Sequence, residues 1–104
     1  MPEKLKVLVV EDESWSAMMI ANYVTKLGYH CGNPVATGWD AIKKAAEENP
    51  NIIFMDIRLA DSINGIEAAK KIVKHSPAVS IAFMSAFQDL EIIEEAKKIN
   101  CIAY

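Results

Sequence analysis

The stretch Asn51-Ile52-Ile53-Phe54-Met55-Asp56 decides the architecture. Four successive apolar residues follow the breaker Pro50 and end at an acid. The run is too short for a buried helix and reads as a strand covered on both faces. Such strands belong to parallel sheets with helices above and below. Asp56 closes the strand at its carboxyl end, which is where open α/β sheets bind ligands.

Upstream, Leu5 to Val10 is a second short apolar run, interrupted only by Lys6, and it stops at Glu11-Asp12-Glu13. From about Ser14 to Leu27, the residues Ala17, Ile20, Ala21, Val24 and Leu27 recur at helical spacing, and Gly28 supplies a stop. Tyr29 to Val35 is a weaker strand. Gly32 and Pro34 push it to an edge. Thr37-Gly38 opens a helix to about Asn49, with Thr37 as its N-cap and Pro50 closing it.

Downstream of Asp56, a loop runs to the turn signal Asn64-Gly65. A helix from Gly65 or Ile66 to about His75 sets Ile66, Ala69 and Val73 on one face. Ser76-Pro77 breaks the chain, and Val79 to Met84 forms a fourth strand ending at Ser85-Ala86. Asp89 is placed to cap a helix reaching Ile99, and Asn100 suits a left-handed position just past it. Cys101 to Tyr104 reads as the first half of a fifth strand. Strands and helices alternate, which predicts right-handed βαβ units. The expected fold is therefore α/β, a doubly wound open parallel sheet of order 2-1-3-4-5.

The 104 residues suffice for one domain. With 52% apolar and 24% charged residues the chain belongs with globular domains rather than disordered ones. The net charge is −3 and the lysines are interleaved with acids, so no cationic stripe suits DNA, RNA or an anionic membrane. No signal peptide or membrane-length apolar run is visible. A cytoplasmic location is expected, with Cys31 and Cys101 as reduced thiols. These two should lie on opposite sheet edges, roughly 19 Å apart and beyond disulfide reach.

The polar strand ends carry the chemistry. Glu11 and Asp12 end the first strand, Asp56 the third and Ser85 the fourth. In the expected order the first and third strands are neighbours, so three acids converge. Clustered carboxylates repel one another, and a hard cation such as Mg²⁺ relieves the repulsion while leaving positions for phosphate oxygens. An Asp carboxylate is a competent nucleophile towards phosphorus, and a hydroxyl such as that of Ser85 can contact a phosphoryl oxygen. Each residue alone also has a plain reading. Asp12 serves equally well as a helix cap, Ser85 as a turn residue, and Asp56 as a solvated acid. Their conjunction on these particular strands gives the pattern its specificity.

With these residues in place, the chain resembles the receiver domains of response regulators. VLVVEDE is similar to the opening strand with its acidic pair, IIFMDIRL to the phosphoacceptor strand, and NGIEAAKKI to the helix after the site loop. IAFMSA resembles the strand carrying a Ser/Thr switch residue, and AKKINCIAY the approach to the fifth strand. The resemblance implies that Asp56 is the phosphoacceptor and that Mg²⁺ is held by Asp12, Asp56 and the backbone carbonyl of Arg58, with Glu11 acting through water. It implies that Ser85 contacts the phosphoryl group, that the small Ala86 leaves access to it, and that Tyr104 is the aromatic switch residue. The phosphoryl donor would be a sensor histidine kinase or a phosphotransfer protein. The domain would be a signalling switch rather than an enzyme.

The chain departs from that pattern in three places. The loop IRLADSINGIE has Ala60 where many members have Pro, and it is about one residue longer. The family Lys beyond the aromatic residue is absent from this sequence. So are the end of strand five and the final helix, which implies a C-terminally truncated receiver. Apolar surface near Ala17 and Ile20 should then be exposed and favour a homodimer or larger assembly.

An alternative reading is a pseudo-receiver, a protein-interaction module that works without phosphorylation. A dehalogenase-like phosphohydrolase would need a second Asp where Arg58 stands. A flavodoxin would need a Ser/Thr/Gly-rich loop where Glu11-Asp12-Glu13 stands. Trp15 is expected to be partly exposed. Met18, Met19, Met55 and Met84 should fill core or grooves, and His30 and His75 lie on different elements, away from any shared metal site.

Overall fold

The computed structural model describes residues 5–59 and 63–84 and the backbone of 101–103. Its elements are β1 (Lys6–Val10), α1 (Ser14–Lys26), β2 (His30–Cys31), α2 (Gly38–Glu48), β3 (Ile52–Asp56), α3 (Gly65–His75), β4 (Ser80–Met84) and β5 (Cys101–Ala103). All strands are parallel, in the order β2-β1-β3-β4-β5 expected from the sequence. The helix expected between Asp89 and Ile99 lies outside the described residues, as do Ser85, Ala86 and Tyr104.

Alternation along the central strands sorts the core into two layers. Leu8 and Val10 of β1, Ile53 and Met55 of β3, and Ile81 and Phe83 of β4 pack against Ala41 and Ala45 of α2 and Ile66, Ala69 and Ile72 of α3. Ile53, Met55, Ile66 and Ile81 are almost wholly buried, each contributing about 1.5–3 kcal/mol of burial free energy. On the other face Val7 and Val9 pack against Val24 of α1, with Ile20, Ile52 and Phe54 half-buried around them. That second layer is thinner, and α1 is the one described helix in it.

Asn51 sets the strand register. Its side chain accepts from the Lys6 N–H at 2.8 Å, its own N–H donates to Lys6 O at 2.9 Å, and its carbonyl accepts from the Ser80 N–H at 3.0 Å. β1, β3 and β4 are thereby pinned at their amino ends, so their carboxyl ends finish level.

Three details differ from the sequence reading. The weak second strand contracts to His30–Cys31, and Val35 keeps a single bridge to Val10, because Gly32 and Pro34 interrupt the ladder. Leu27 is exposed rather than on the core face of α1: it is the C-cap, where the chain turns off the helix through Gly28 at φ +98°. In α3 the buried stripe is Ile66, Ala68, Ala69 and Ile72, with Val73 only half-buried. Ala17 is buried too, so the exposed apolar residues of α1 are others. No described helix is long and apolar enough to cross a membrane.

Candidate functional site

β1 and β3 are paired with Val10 beside Met55, so one further step brings Glu11 beside Asp56. Glu11 has the parity of Val7 and Val9, and Asp56 that of Ile52 and Phe54; both therefore share the α1 side of the sheet. The Glu11 N–H donates to Val35 O at 3.0 Å, which fixes the chain as it leaves β1. Carboxylate oxygens of Glu11, Asp12 and Asp56 lie within 4.8 Å of one another.

Capping falls to Glu13, leaving Asp12 for other work. The Glu13 carboxylate accepts from the Ser16 N–H at 2.8 Å and from Ser16 Oγ at 2.6 Å. The Asp56 carboxylate accepts from the Arg58 N–H at 3.1 Å, so the backbone of residue 58 folds back over the end of β3. Ile57 continues the strand direction by donating its N–H to Met84 O at 3.2 Å, which brings the end of β4 to the same rim. Ser85 is the next residue in the chain, outside the described residues.

The electrostatics show strain between the acids. The Glu11 carboxyl is pushed up to about 8, first by burial, then by its hydrogen bond with the Asp56 carboxylate, then by the negative charges of Asp56 and Asp12. The Glu13 backbone offsets a little of this with a hydrogen bond. Three clustered carboxyls, of which Glu11 resists ionisation beside the other two, form an all-oxygen donor set, which is what a hard divalent cation takes. By that test the residues fit Mg²⁺.

The sequence marks Gly65 as part of a turn signal and a helix start; the structure gives it a closer role in this geometry. Gly65 begins α3 directly against the site: a Cβ there would run into the carbonyl oxygen of Asp56 and lie 2.9 Å from Ile57 Cα. Its N–H donates to Ile57 O at 2.7 Å. A reciprocal capping box precedes it. Asn64 Oδ1 accepts from the Glu67 N–H at 2.9 Å, and Glu67 Oε1 accepts from the Asn64 N–H at 3.1 Å. The Asn-x-x-Glu spacing is the sequence signal that would have found it.

A parallel sheet of this order, with clustered acids beyond the carboxyl ends of two adjacent strands, is the arrangement expected of a receiver domain. The family model for the response regulator receiver domain matches residues 7–104, and the chain belongs to that family, whose domains are signalling switches of two-component systems. Chemotaxis protein CheY of Thermotoga maritima is 36% identical over 93 residues, which cover 89% of this chain and 77% of that protein. Response regulator protein VraR of Staphylococcus epidermidis is 34% identical over 90 residues, covering 85% of this chain but 43% of that longer protein. The signal receiver domain of a modulated diguanylate cyclase from Desulfovibrio desulfuricans superimposes with a TM-score of 0.90 at 28% identity, over 98% of this chain and 80% of that one.

Proposed function

We propose that the chain, as a single receiver domain over residues 1–104, accepts a phosphoryl group on Asp56 and thereby switches a protein-interaction surface. The observation carrying this is the convergence of Glu11, Asp12 and Asp56 within 4.8 Å at adjacent strand ends. An Asp56 carboxylate oxygen forms the new bond to phosphorus as the P–N bond of a phosphohistidine breaks. The electron pair returns to the imidazole of a sensor histidine kinase or phosphotransfer protein. Asp12 and Asp56 would hold Mg²⁺ together with the carbonyl of Arg58, with Glu11 holding it through water. The ion would neutralise charge on the phosphoryl oxygens. The Arg58 N–H keeps the Asp56 carboxylate oriented, and Gly65 lets α3 approach the acceptor strand. Ser85 would contact the phosphoryl group, Ala86 would leave it room, and Tyr104 would couple the change to the surface. The proposed setting is the cytoplasm.

The test is incubation with acetyl phosphate and Mg²⁺ followed by intact mass measurement, with Asp56→Asn in parallel. A Mg²⁺-dependent adduct of one phosphate, lost in the variant, is expected. An unmodified wild-type chain that still binds its partner would establish the phosphorylation-independent module instead.

A further inference from the structure

α2 opens on a glycine that its backbone does not call for. Gly38 is the first residue of the helix after the Thr37 cap, and it is buried. Among the described residues only Gly28 and Asn49 have a positive φ, so Gly38 is not there for a left-handed turn. Glycine is also a poorer helix former than alanine. Space supplies the reason. A Cβ on Gly38 would lie 2.5 Å from Ile63 Cγ1, 2.8 Å from Ile63 Cδ1 and 3.3 Å from the Ile63 carbonyl oxygen. Ile63 therefore sits in a notch that only a missing side chain leaves open.

Ile63 belongs to the segment that leads from Asp56 to α3. That segment is closed by the 2.7 Å bond from the Gly65 N–H to Ile57 O. At its start the Arg58 N–H donates to the Asp56 carboxylate at 3.1 Å. Among its described residues Arg58 and Asn64 are exposed and Leu59 is half-buried, whereas Ile63 is buried. Ile63 joins the core layer of Ala41 from α2 and Ile66 from α3. A β-branched side chain is stiff at χ1, and in a close-packed notch it holds its own backbone with little play. An anchor at one end of a short closed segment limits the play at the other end, where Asp56 and Arg58 stand.

We propose that Ile63, seated in the Gly38 notch, is a positioning residue for the metal end of the site: it holds the segment after Asp56 where the Arg58 carbonyl can reach an ion shared with Asp12 and Asp56. Ile63 touches no reactant. It acts through the backbone it anchors, as groups behind a metal's own ligands commonly do. The inference rests on the Mg²⁺ reading proposed above and adds to it what α2 contributes to the site.

The experiment is thermal unfolding of the 104-residue chain over a series of Mg²⁺ concentrations. The rise of Tm above each variant's own metal-free value gives its Kd. Ile63→Ala is expected to weaken Mg²⁺ binding about tenfold. Gly38→Ala, which drives Ile63 from the notch, should act in the same direction. In the Ile63→Ala background the Gly38 change should add less than about twofold, because the side chain it strikes is gone. Ile63→Val trims Cδ1 alone and should give a smaller step; it keeps the test open if the Ile63→Ala chain does not fold. Val73→Ala thins the same core layer about two turns along α3 and should lower Tm with Kd unchanged. Three results would each overturn the proposal and leave the metal site standing: Ile63 and Gly38 variants that lose Tm but bind Mg²⁺ within about twofold of wild type, a Gly38→Ala effect that persists without the Ile63 side chain, or an equal weakening by Val73→Ala. A wild-type Tm that does not respond to Mg²⁺ would overturn the metal reading itself, and this inference with it.

Discussion

Replacing Gly65 by Ala adds one methyl group and should damage both stability and the site. The new Cβ would meet the Asp56 carbonyl oxygen, with the Asp56 carbonyl carbon and Ile57 Cα each 2.9 Å away. All three are backbone atoms of a strand end, so no side chain can swing aside. Relief requires α3 to retreat by about 1 Å, which stretches the 2.7 Å bond from the Gly65 N–H to Ile57 O. Overpacking of this kind costs about 1–3 kcal/mol, and rigid neighbours put it at the upper end. Better helix propensity and a less flexible unfolded chain return up to about 1 kcal/mol. The net loss of about 2 kcal/mol lowers Tm by about 8–16 °C for a domain of this size. Thermal unfolding by circular dichroism measures it, with Gly32→Ala as control. There the added Cβ meets only the Glu48 carboxylate, Oε1 at 3.6 Å and Oε2 at 3.9 Å, both ordinary contacts. At a temperature where Gly65→Ala is still folded, its phosphorylation by acetyl phosphate should be slower than wild type. A Gly65→Ala protein as stable as wild type would refute the reasoning.

Three further outcomes are expected. Glu11→Gln removes a carboxyl whose ionisation the fold opposes, raised from 4.5 to about 8. Without Mg²⁺ it should therefore stabilise the fold at pH 7 by about 1 kcal/mol, a gain that fades as the pH falls below 4.5, where the unfolded chain is protonated too; the figure is kept small because the group is only partly buried. The same variant should show a smaller Mg²⁺-induced rise in Tm than wild type; an equal rise would remove Glu11 from the metal site. Asn64→Ala breaks the capping box and should cost about 1 kcal/mol, read as a lower denaturation midpoint with unchanged slope. Burial, and secondarily the negative charge of Glu48, push the Cys31 thiol up. Its alkylation in a Cys101→Ser background should therefore rise to its plateau at a higher pH than a free thiol, and a midpoint at or below the free-thiol value would contradict that environment.

The parallel order was readable because each central strand is a mainly apolar run, broken only by Lys6 in β1 and Ser80 in β4, that stops at a polar residue, and because Thr37 and Gly28 mark their helix boundaries without competition. The acids were readable for the same reason: Glu11, Asp12 and Asp56 stand where the runs stop. Exposure was harder. Side-chain type assigns Met18 and Met19 to core or grooves, yet both are more than half exposed; they lie off the periodic face of Ala17, Ile20, Ala21 and Val24 that α1 turns to the sheet. The Gly65 contact was hidden because Asn-Gly is also an ordinary turn signal. Its meaning depends on a strand nine positions earlier, Asp56, meeting it through a folded-back loop. Glu13 rather than Asp12 caps α1, a choice between adjacent acids that composition could not make.

The contraction of β2 to two residues has a bearing on how the molecule meets its neighbours. An open sheet grows when a foreign strand finds a long row of unpaired amides and carbonyls to copy. At this edge the row is His30–Cys31, followed by Gly32 and then Pro34, which has no N–H to donate. A visiting strand would gain a couple of hydrogen bonds and then meet an irregular backbone. On this side the sheet is a poor template for fibre-like growth, and strand-by-strand addition here has little to sustain it.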